Sequence, residues 1–304
     1  MTGLLNLFAE NVLPVLLLAA TGFALQRALR IDPRPLAQVV FHAFAPALVF
    51  RLLLQTSIGA TDILRMMGLA GLVMGGIGIL SWALARAFRL PPPLTAAFVL
   101  TSTFMNAGNF GLSVNQLAFG EQALAWAVLF FTASSVLANS VGVYLASVGK
   151  ASPRIALLGL LRVPSLYAIP LALGLRSLSW DLPEPLQHSV DLLAAAAIPA
   201  MLLLLGMHIG QAGLPRQQRG PLAGSVFLRL VVSPIWAWIL LPLFHLPRAG
   251  EQSAILEAAM PTAVLTSVIA SEYQVEPEFV AGAVLVSTLL SPLTVTPLIL
   301  LLGG

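Results

Sequence analysis

The sequence has no cysteine and few charges: Asp, Glu, Lys and Arg make up 9% of its 304 residues, against roughly 25% in soluble domains. Without cysteine the chain forms no disulfide, thiolate nucleophile or cysteine-ligated metal site. Its four histidines lack His-x-x-x-His spacing, and it contains no HExxH or GxSxG motif. We therefore expect no enzyme activity, no cofactor and no bound metal.

Hydrophobic residues make up 58% of the chain, and its mean hydropathy is +0.94. A helix that crosses a membrane needs about 17 to 25 mainly apolar residues. The long Leu/Ala/Val/Gly runs do not alternate as the strands of a membrane β-barrel would, so we expect an all-α integral membrane protein. Ten spans, numbered in chain order, are predicted near Ala9–Gln26, Leu36–Leu54, Met66–Ala87, Leu94–Phe119, Ala123–Val148, Ile155–Leu175, Val190–Ile209, Leu222–Leu243, Ile255–Ala270 and Phe279–Leu302.

Cations favour alternate loops, which predicts the orientation of the chain. The loops after spans 1, 3, 5 and 7 are basic; their cations are Arg27, Arg30, Arg34, Arg86, Arg89, Lys150, Arg154, Arg216 and Arg219. Loops rich in Lys and Arg stay in the cytoplasm. We predict a multi-pass protein of the cell (inner) membrane with both termini outside. No Lys or Arg precedes Arg27, so the first span is expected to stay in place rather than be cleaved as a signal peptide.

The two halves of the chain resemble each other. FAPALVF around Pro46 recurs as AIPAMLL around Pro199, and EQALAWAVLFFT from Glu121 recurs as EPEFVAGAVLVST from Glu276, at separations of 153 and 155 residues. This near-constant separation predicts two five-span repeats, 1–150 and 151–304, in a single domain spanning 1–304. An odd number of spans per repeat makes the second copy inverted, as in many secondary transporters.

Spans 4 and 9 occupy corresponding positions, and both contain helix-breaking residues. Span 4 carries FMNAGNFGLS and span 9 carries LEAAMPTAVLTS, in which Pro261 lacks the N–H that a helix interior needs. Broken helices at membrane depth are tolerated where they line a cavity. We expect the free N–H groups of Thr262 and Ala263, and of Gly111 to Ser113, to face the break and attract an anion. The predicted site residues are Asn106, Gly108, Asn109, Gly111, Pro261 and Thr262.

The motifs LPVLLLAATGFALQR, NAGNFGLSV, LLRVPSLYAIPLALGL and EAAMPTAVLTSVIASEYQVEPEFVAGAVLVSTLLSPLTVTPLIL resemble the auxin efflux carrier family, which includes bacterial carriers and plant auxin exporters, over essentially the whole chain. The resemblance implies ten helices in two inverted repeats, as in the bile-acid/sodium symporter-like fold. It also implies crossed broken helices 4 and 9 and elevator-like transport of organic anions. Ser113 stands where the family usually has proline, so the first crossover must rely on its glycines and asparagines.

Several side chains have alternative interpretations. Asn106 and Asn109 are candidates for substrate contact or for helix caps. Glu257 and His42 are candidates for coupling to an ion or a proton. Glu257 could equally reach water near the end of span 9, and a packing role is common for histidine. Arg51 and Arg229 are expected to extend to water from helix ends.

We therefore predict a secondary transporter of small organic anions such as carboxylates or dicarboxylates. The expected partners are that anion, a coupling H⁺ or Na⁺, and the lipid bilayer, with no nucleic acid. The sequence leaves open whether the protein forms a homodimer. The alternative is a channel or pore for small solutes, because broken helices also build channels.

Overall fold

The computed structural model describes residues 2–147, 161, 163–211 and 218–303. Within these ranges the chain is helical, with one isolated β-bridge, which confirms the all-α prediction. We label the helices α1 (Gly3–Leu29), α2 (Arg34–Gln55), α3 (Ala60–Ala87), α4 (Pro92–Thr103), α5 (Ala107–Ala146), α6 (Pro164–Ser177), α7 (Glu184–Gln211), α8 (Arg219–Leu243), α9 (Arg248–Ala258), α10 (Val264–Tyr273) and α11 (Pro277–Leu302).

Seven of these helices are long and apolar enough to cross a membrane: α1, α2, α3, α5, α7, α8 and α11. The others are shorter, so the total of ten crossings stays a prediction. Span 4, which is predicted to contain a helix break, is divided between α4 and the first part of α5. Span 9 was predicted to begin at Ile255, whereas α9 begins at Arg248, because polar residues in its first turns lower its hydropathy. The first residues of span 6 lie outside the described ranges.

Gly120 divides α5 into two helical rods. Its backbone has φ 77° and ψ −170°, a conformation that residues with a Cβ rarely adopt. Residues 107–119 complete the fourth predicted span, and residues 121–146 match the fifth as far as they are described. A glycine thus permits the sharp return of the chain between two neighbouring spans.

The helices pack in two groups. One group contains α1, α2, α6 and α7, and the other contains α3, α4, α5 and α8 to α11. The two groups meet where α1, α2 and α7 pack against α5 and where α1 packs against α11. Large apolar side chains on one side of α3, among them Leu64, Ile79 and Trp82, are exposed. In a chain of this hydropathy such a surface suits contact with lipid.

Candidate functional site

The breaks of the two interrupted helices cross and pair with each other. Residues 104–106 connect α4 to α5, and residues 259–263 connect α9 to α10. Met105 and Thr262 form an antiparallel β-bridge. The N–H of Asn106 donates to the Pro261 carbonyl at 2.7 Å, and the N–H of Ala263 donates to the Phe104 carbonyl at 2.9 Å. This pairing satisfies peptide groups that would otherwise be costly to bury at membrane depth.

The first break lies earlier in the chain than the glycines suggested. It precedes Ala107, so Gly108 and Gly111 lie inside a π-helical stretch, Ala107–Leu112. The N–H of Gly111 donates to the Asn106 carbonyl at 3.0 Å, and it is therefore not free. The prediction of free N–H groups at Gly111, Leu112 and Ser113 is wrong in position, because the antiparallel bridge fixes the break at Phe104–Asn106.

The second break is also shifted. Pro261 does not begin the second half-helix, since α10 starts at Val264. The Thr262 N–H donates to the Ser287 hydroxyl at 3.0 Å, and the Thr262 hydroxyl donates to the Thr101 carbonyl at 3.0 Å. The N–H groups of Thr262 and Ala263, expected to be free, are both bonded. Thr262 holds the crossover together.

The N–H groups that do lack partners lie at the first turns of α5 and α10. A helix leaves its first N–H groups without an intrahelical partner. The described chain provides no backbone acceptor outside the helices for the N–H groups of Ala107, Gly108, Asn109, Val264 and Leu265. Each helix N-terminus acts as roughly half a positive charge. Two half-helix N-termini with unpaired N–H groups are therefore present, four residues before the predicted position in α5 and two residues after it in α10.

Both N-termini border the same cavity of about 280 Å³. It also contacts the start of α2, the second rod of α5 and the end of α7, so it lies between the crossover and the side on which the described helices α1, α5, α7 and α10 end. Among the residues that the structure describes, no Asp, Glu, Lys or Arg lines it. Its polar lining residues are Gln38, His42, Asn106, Asn109, Ser134, Ser135, Asn139 and His208, and most of the remainder is apolar.

Two predicted asparagines contribute to this cavity. Asn106 is 5% exposed, and its side-chain Nδ2 has no hydrogen-bond partner in the described part of the chain. Neither Asn106 nor any other residue caps α5 through its side chain. A buried amide donor without a partner is costly, so Asn106 provides an unused donor beside the free N–H groups. Asn109 is half-buried at the next turn.

His42 and His208 lie on the side of the cavity formed by α2 and α7. The Nδ1 of His42 is 3.0 Å from the Gln38 carbonyl oxygen. A carbonyl only accepts, so Nδ1 carries the proton and Nε2 is left for another partner. His42 is thus beside the cavity, as a residue that contacts substrate or a coupling proton must be. His208 is half-buried on this wall.

The other predicted site residues lie behind this cavity or at its border. Gly108 borders the cavity, and a Cβ there would lie 2.7 Å from the Phe131 ring. Gly111, Pro261 and Thr262 do not line it. Gly111 instead leaves space for the carboxylate of Glu257, since a Cβ at this position would lie 2.6 Å from Oε1.

Glu257 does not reach water. It is fully buried at the end of α9, where its Oε1 accepts a hydrogen bond of 3.0 Å from the Nδ2 of Asn115. Its Oε2 and the Asn115 Oδ1 have no hydrogen-bond partner among the described residues, nor does any cation there form a salt bridge with Glu257. Burying a carboxylate is costly without a compensating partner. The structure therefore excludes the alternative in which Glu257 extends to water.

Arg229 on α8 is also fully buried. Its guanidinium donates to the carbonyls of Ser102 at 2.9 Å and Thr103 at 2.8 Å, at the end of α4. It donates as well to the carbonyl of Ala258 at 2.6 Å, at the end of α9, and to the Ser233 hydroxyl. The prediction that Arg229 extends to water is wrong, because the carbonyl ends of two half-helices receive its donors.

Arg51, the other arginine expected to extend to water, forms an ion pair of 3.2 Å between its Nε and Asp191 Oδ1. The sequence did not single out Asn115 or a buried role for Arg229. Asn115 carried a usable signal, since it is a polar residue four positions after Gly111 on the same helical face. Arg229 has polar Ser225 and Ser233 four residues to either side in an otherwise apolar span, and this pattern gives no indication of the two helix ends that it contacts.

Comparison with known proteins places the chain beside membrane transporters. A family model described as membrane transport protein matches residues 7–152 and 149–299. An "Uncharacterized transporter" of Methanothermobacter thermautotrophicus is 26% identical over 291 residues, covering 93% of this chain and 94% of the relative. A protein of Rhizobium meliloti named "Putative malonate transporter" is 29% identical over 278 residues, covering 86% and 85%.

Proposed function

Because the chain belongs to the membrane transport protein family, we propose that it is a secondary transporter that moves small organic anions by an elevator mechanism. Membership confirms the resemblance to auxin efflux carriers found in the sequence motifs, and it identifies a multi-pass membrane transporter rather than an enzyme. One observation carries the anion proposal: two half-helix N-termini and the unused amide donor of Asn106 border one cavity.

The cavity suits a small carboxylate. Free N–H groups at helix N-termini bind anions without a charged side chain, and none of the described residues that line this cavity is charged. Its volume of about 280 Å³ suits a small mono- or dicarboxylate. Malonate is the first probe to use, since one relative carries it in its name.

The division of the helices into two groups supports an elevator mechanism, in which one group moves against the other. We propose that α1, α2, α6 and α7 form a scaffold and that the other helices form the moving unit, which contains the crossover. In the scaffold, α1 and α7 approach so closely that a Cβ at Gly22 would overlap the Leu203 backbone. This division into scaffold and moving unit takes the chain to cross the membrane ten times, in two inverted repeats. Because the loops after spans 1, 3, 5 and 7 are predicted to lie in the cytoplasm, we expect the cavity to face the cytoplasm.

We propose Glu257 as the coupling site and Asn115 as its partner. A buried carboxylate with an unpaired Oε2 needs a proton or a cation to offset its charge, and the unpaired Asn115 Oδ1 is a second oxygen suited to Na⁺. Neutralising Glu257 would also remove a negative charge from behind the anion site. His42, which borders the cavity, is the other candidate for proton coupling.

Counterflow in proteoliposomes tests the transport proposal. Vesicles loaded with unlabelled malonate should take up labelled malonate by saturable exchange. A pore, the alternative function, would give single-channel currents and no exchange stimulation. If a panel of small carboxylates gives neither exchange nor binding by calorimetry, the organic-anion proposal is wrong.

We expect Asn106→Ala to weaken malonate binding by about 1 to 3 kcal/mol, because it removes a donor to a buried anion. Asn109→Ala should act in the same direction with a smaller effect, since this side chain is only half-buried. Calorimetry on purified protein measures both. The control is Asn11→Ala, which removes a buried asparagine bonded to the Leu7 carbonyl away from the cavity. Wild-type affinity in both cavity variants would contradict this assignment.

The predicted orientation places Gln211, at the end of α7, inside and Gly59, before α3, outside. The chain has no native cysteine, so single cysteines report accessibility without interference. A membrane-impermeant maleimide applied to intact cells should label Gly59→Cys and leave Gln211→Cys unlabelled until the cells are opened. The reverse pattern would place both termini in the cytoplasm.

A further inference from the structure

The carbonyl ends of α4 and α9 meet at one buried cation. Ser102 and Thr103 end α4, Ala258 ends α9, and all three carbonyls accept hydrogen bonds from the guanidinium of Arg229. No carboxylate lies within 4 Å of this guanidinium in the described part of the chain. Its positive charge is therefore compensated by helix ends and not by an ion pair.

The four half-helix ends and Arg229 together determine the net charge of the crossover. The N-termini of α5 and α10 contribute about half a positive charge each at the cavity, and the C-termini of α4 and α9 contribute about half a negative charge each behind it. Without Arg229 these four ends sum to zero. With Arg229 the negative ends are cancelled, and the crossover carries about one net positive charge. Glu257, when neutral, leaves this sum unchanged.

We propose that Arg229 is a specificity-determining residue that makes the crossover select carboxylates over neutral analogues of the same shape. The inference rests on the proposed function, because it takes the cavity to be the anion site. Arg229 does not line the cavity, so it acts at a distance through its charge. We propose no direct contact between Arg229 and the substrate, so its effect should depend on the charge of the anion and not on its shape.

The expected size of the effect follows from distance. Residues 104–106 separate the end of α4 from the start of α5, and three residues span at most about 10 Å. At that separation and an effective dielectric constant of about 20, one unit charge changes the affinity for a monovalent anion on the order of tenfold. A neutral ligand should not respond to this charge.

The experiment compares malonate with malonamide, its uncharged diamide, by calorimetry on the purified full-length protein. Arg229→Gln should weaken malonate binding at least about tenfold and change malonamide binding less than about threefold. Arg229→Lys keeps the charge with fewer donors and should restore the preference. The matched control is Arg176→Gln, because Arg176 also donates to two backbone carbonyls, those of Leu53 and Ile58, but on α6, away from the crossover.

A second pair of variants covers the case in which Arg229→Gln does not fold. Ser233→Asp places a carboxylate beside the guanidinium that its hydroxyl already contacts, so it neutralises the charge and keeps the arginine. It should reduce the preference for malonate as Arg229→Gln does, whereas Ser233→Ala should not. Repeating these measurements in a Glu257→Gln background holds that side chain neutral, so any change reports Arg229 alone.

The outcomes separate the two proposals. Malonate binding by the wild type together with an equal loss of malonate and malonamide binding in Arg229→Gln and Ser233→Asp would show a purely structural role and overturn this inference alone. An unchanged preference in both variants would overturn it as well. If the wild type binds no carboxylate, the proposed function fails first and this inference fails with it.

Discussion

Replacing Glu257 with glutamine is expected to abolish concentrative uptake of malonate and to leave counterflow exchange in place. Glutamine can still accept the hydrogen bond from Asn115 Nδ2, which is 3.0 Å long in the native protein, so the packing behind Gly111 is preserved. It cannot bind a proton or a cation through a carboxylate. A gradient of H⁺ or Na⁺ would then have nothing to act on, and internal malonate should reach only the external concentration.

The measurement is uptake into proteoliposomes under an imposed pH or sodium gradient, with counterflow in the same preparation. Glu251→Gln is the matched control, because Glu251 lies in the first turn of the same helix. His42→Gln tests the other candidate and should retain accumulation. Full accumulation by Glu257→Gln would remove Glu257 as the coupling site, and loss of accumulation in His42→Gln alone would assign coupling to the histidine.

The second large effect concerns the scaffold. Gly206→Ala is expected to destabilise the protein by about 3 kcal/mol, the upper end of the usual cost of overpacking. A Cβ at this position would overlap the backbone of α1, lying 2.6 Å from the Ala19 carbonyl carbon and 2.7 Å from the Phe23 nitrogen. Backbone atoms cannot move aside as a side chain does, so α1 and α7 would have to separate. The midpoint of thermal unfolding should fall by roughly 6 to 12 °C.

Tryptophan fluorescence of the purified protein during heating measures this shift. Gly75→Ala is the control, because a Cβ there has no atom within 4 Å. It should leave the midpoint unchanged or raise it slightly, since alanine is favoured over glycine in a helix by up to about 1 kcal/mol. A similar midpoint for both variants would contradict the close approach of α1 and α7.

The proposed anion site and the proposed coupling site are neighbours at the crossover. The proposed anion site lies at the N-termini of α5 and α10, while Glu257 and Arg229 lie behind it, near the ends of α9 and α4. An ionised Glu257 opposes the positive charge of Arg229, and a proton or cation bound to Glu257 removes that opposition. Binding of the cation and of the carboxylate would therefore favour each other, as reciprocal linkage requires.

The sequence alone determined the class of the protein and the two helices that break. The free energy of transferring a segment into lipid depends on its composition and on the length of its apolar run. Hydropathy was therefore enough to predict an all-helical membrane protein. Pro261 removes a backbone donor wherever it stands in a helix, and clustered glycine and asparagine residues weaken one. The motifs around these breaks were also enough to indicate the family.

Only the tertiary structure decided which groups are free and which are bonded. Whether the N–H of Thr262 or of Ala107 is available depends on acceptors supplied by distant parts of the chain, such as Ser287, and a sequence pattern does not encode those contacts. The same holds for Glu257, which meets Gly111 and Asn115, and for Arg229, which meets two helix ends. Hydropathy gives the cost of placing a charge in lipid; it does not say which buried group compensates that charge, because the compensation arises from packing.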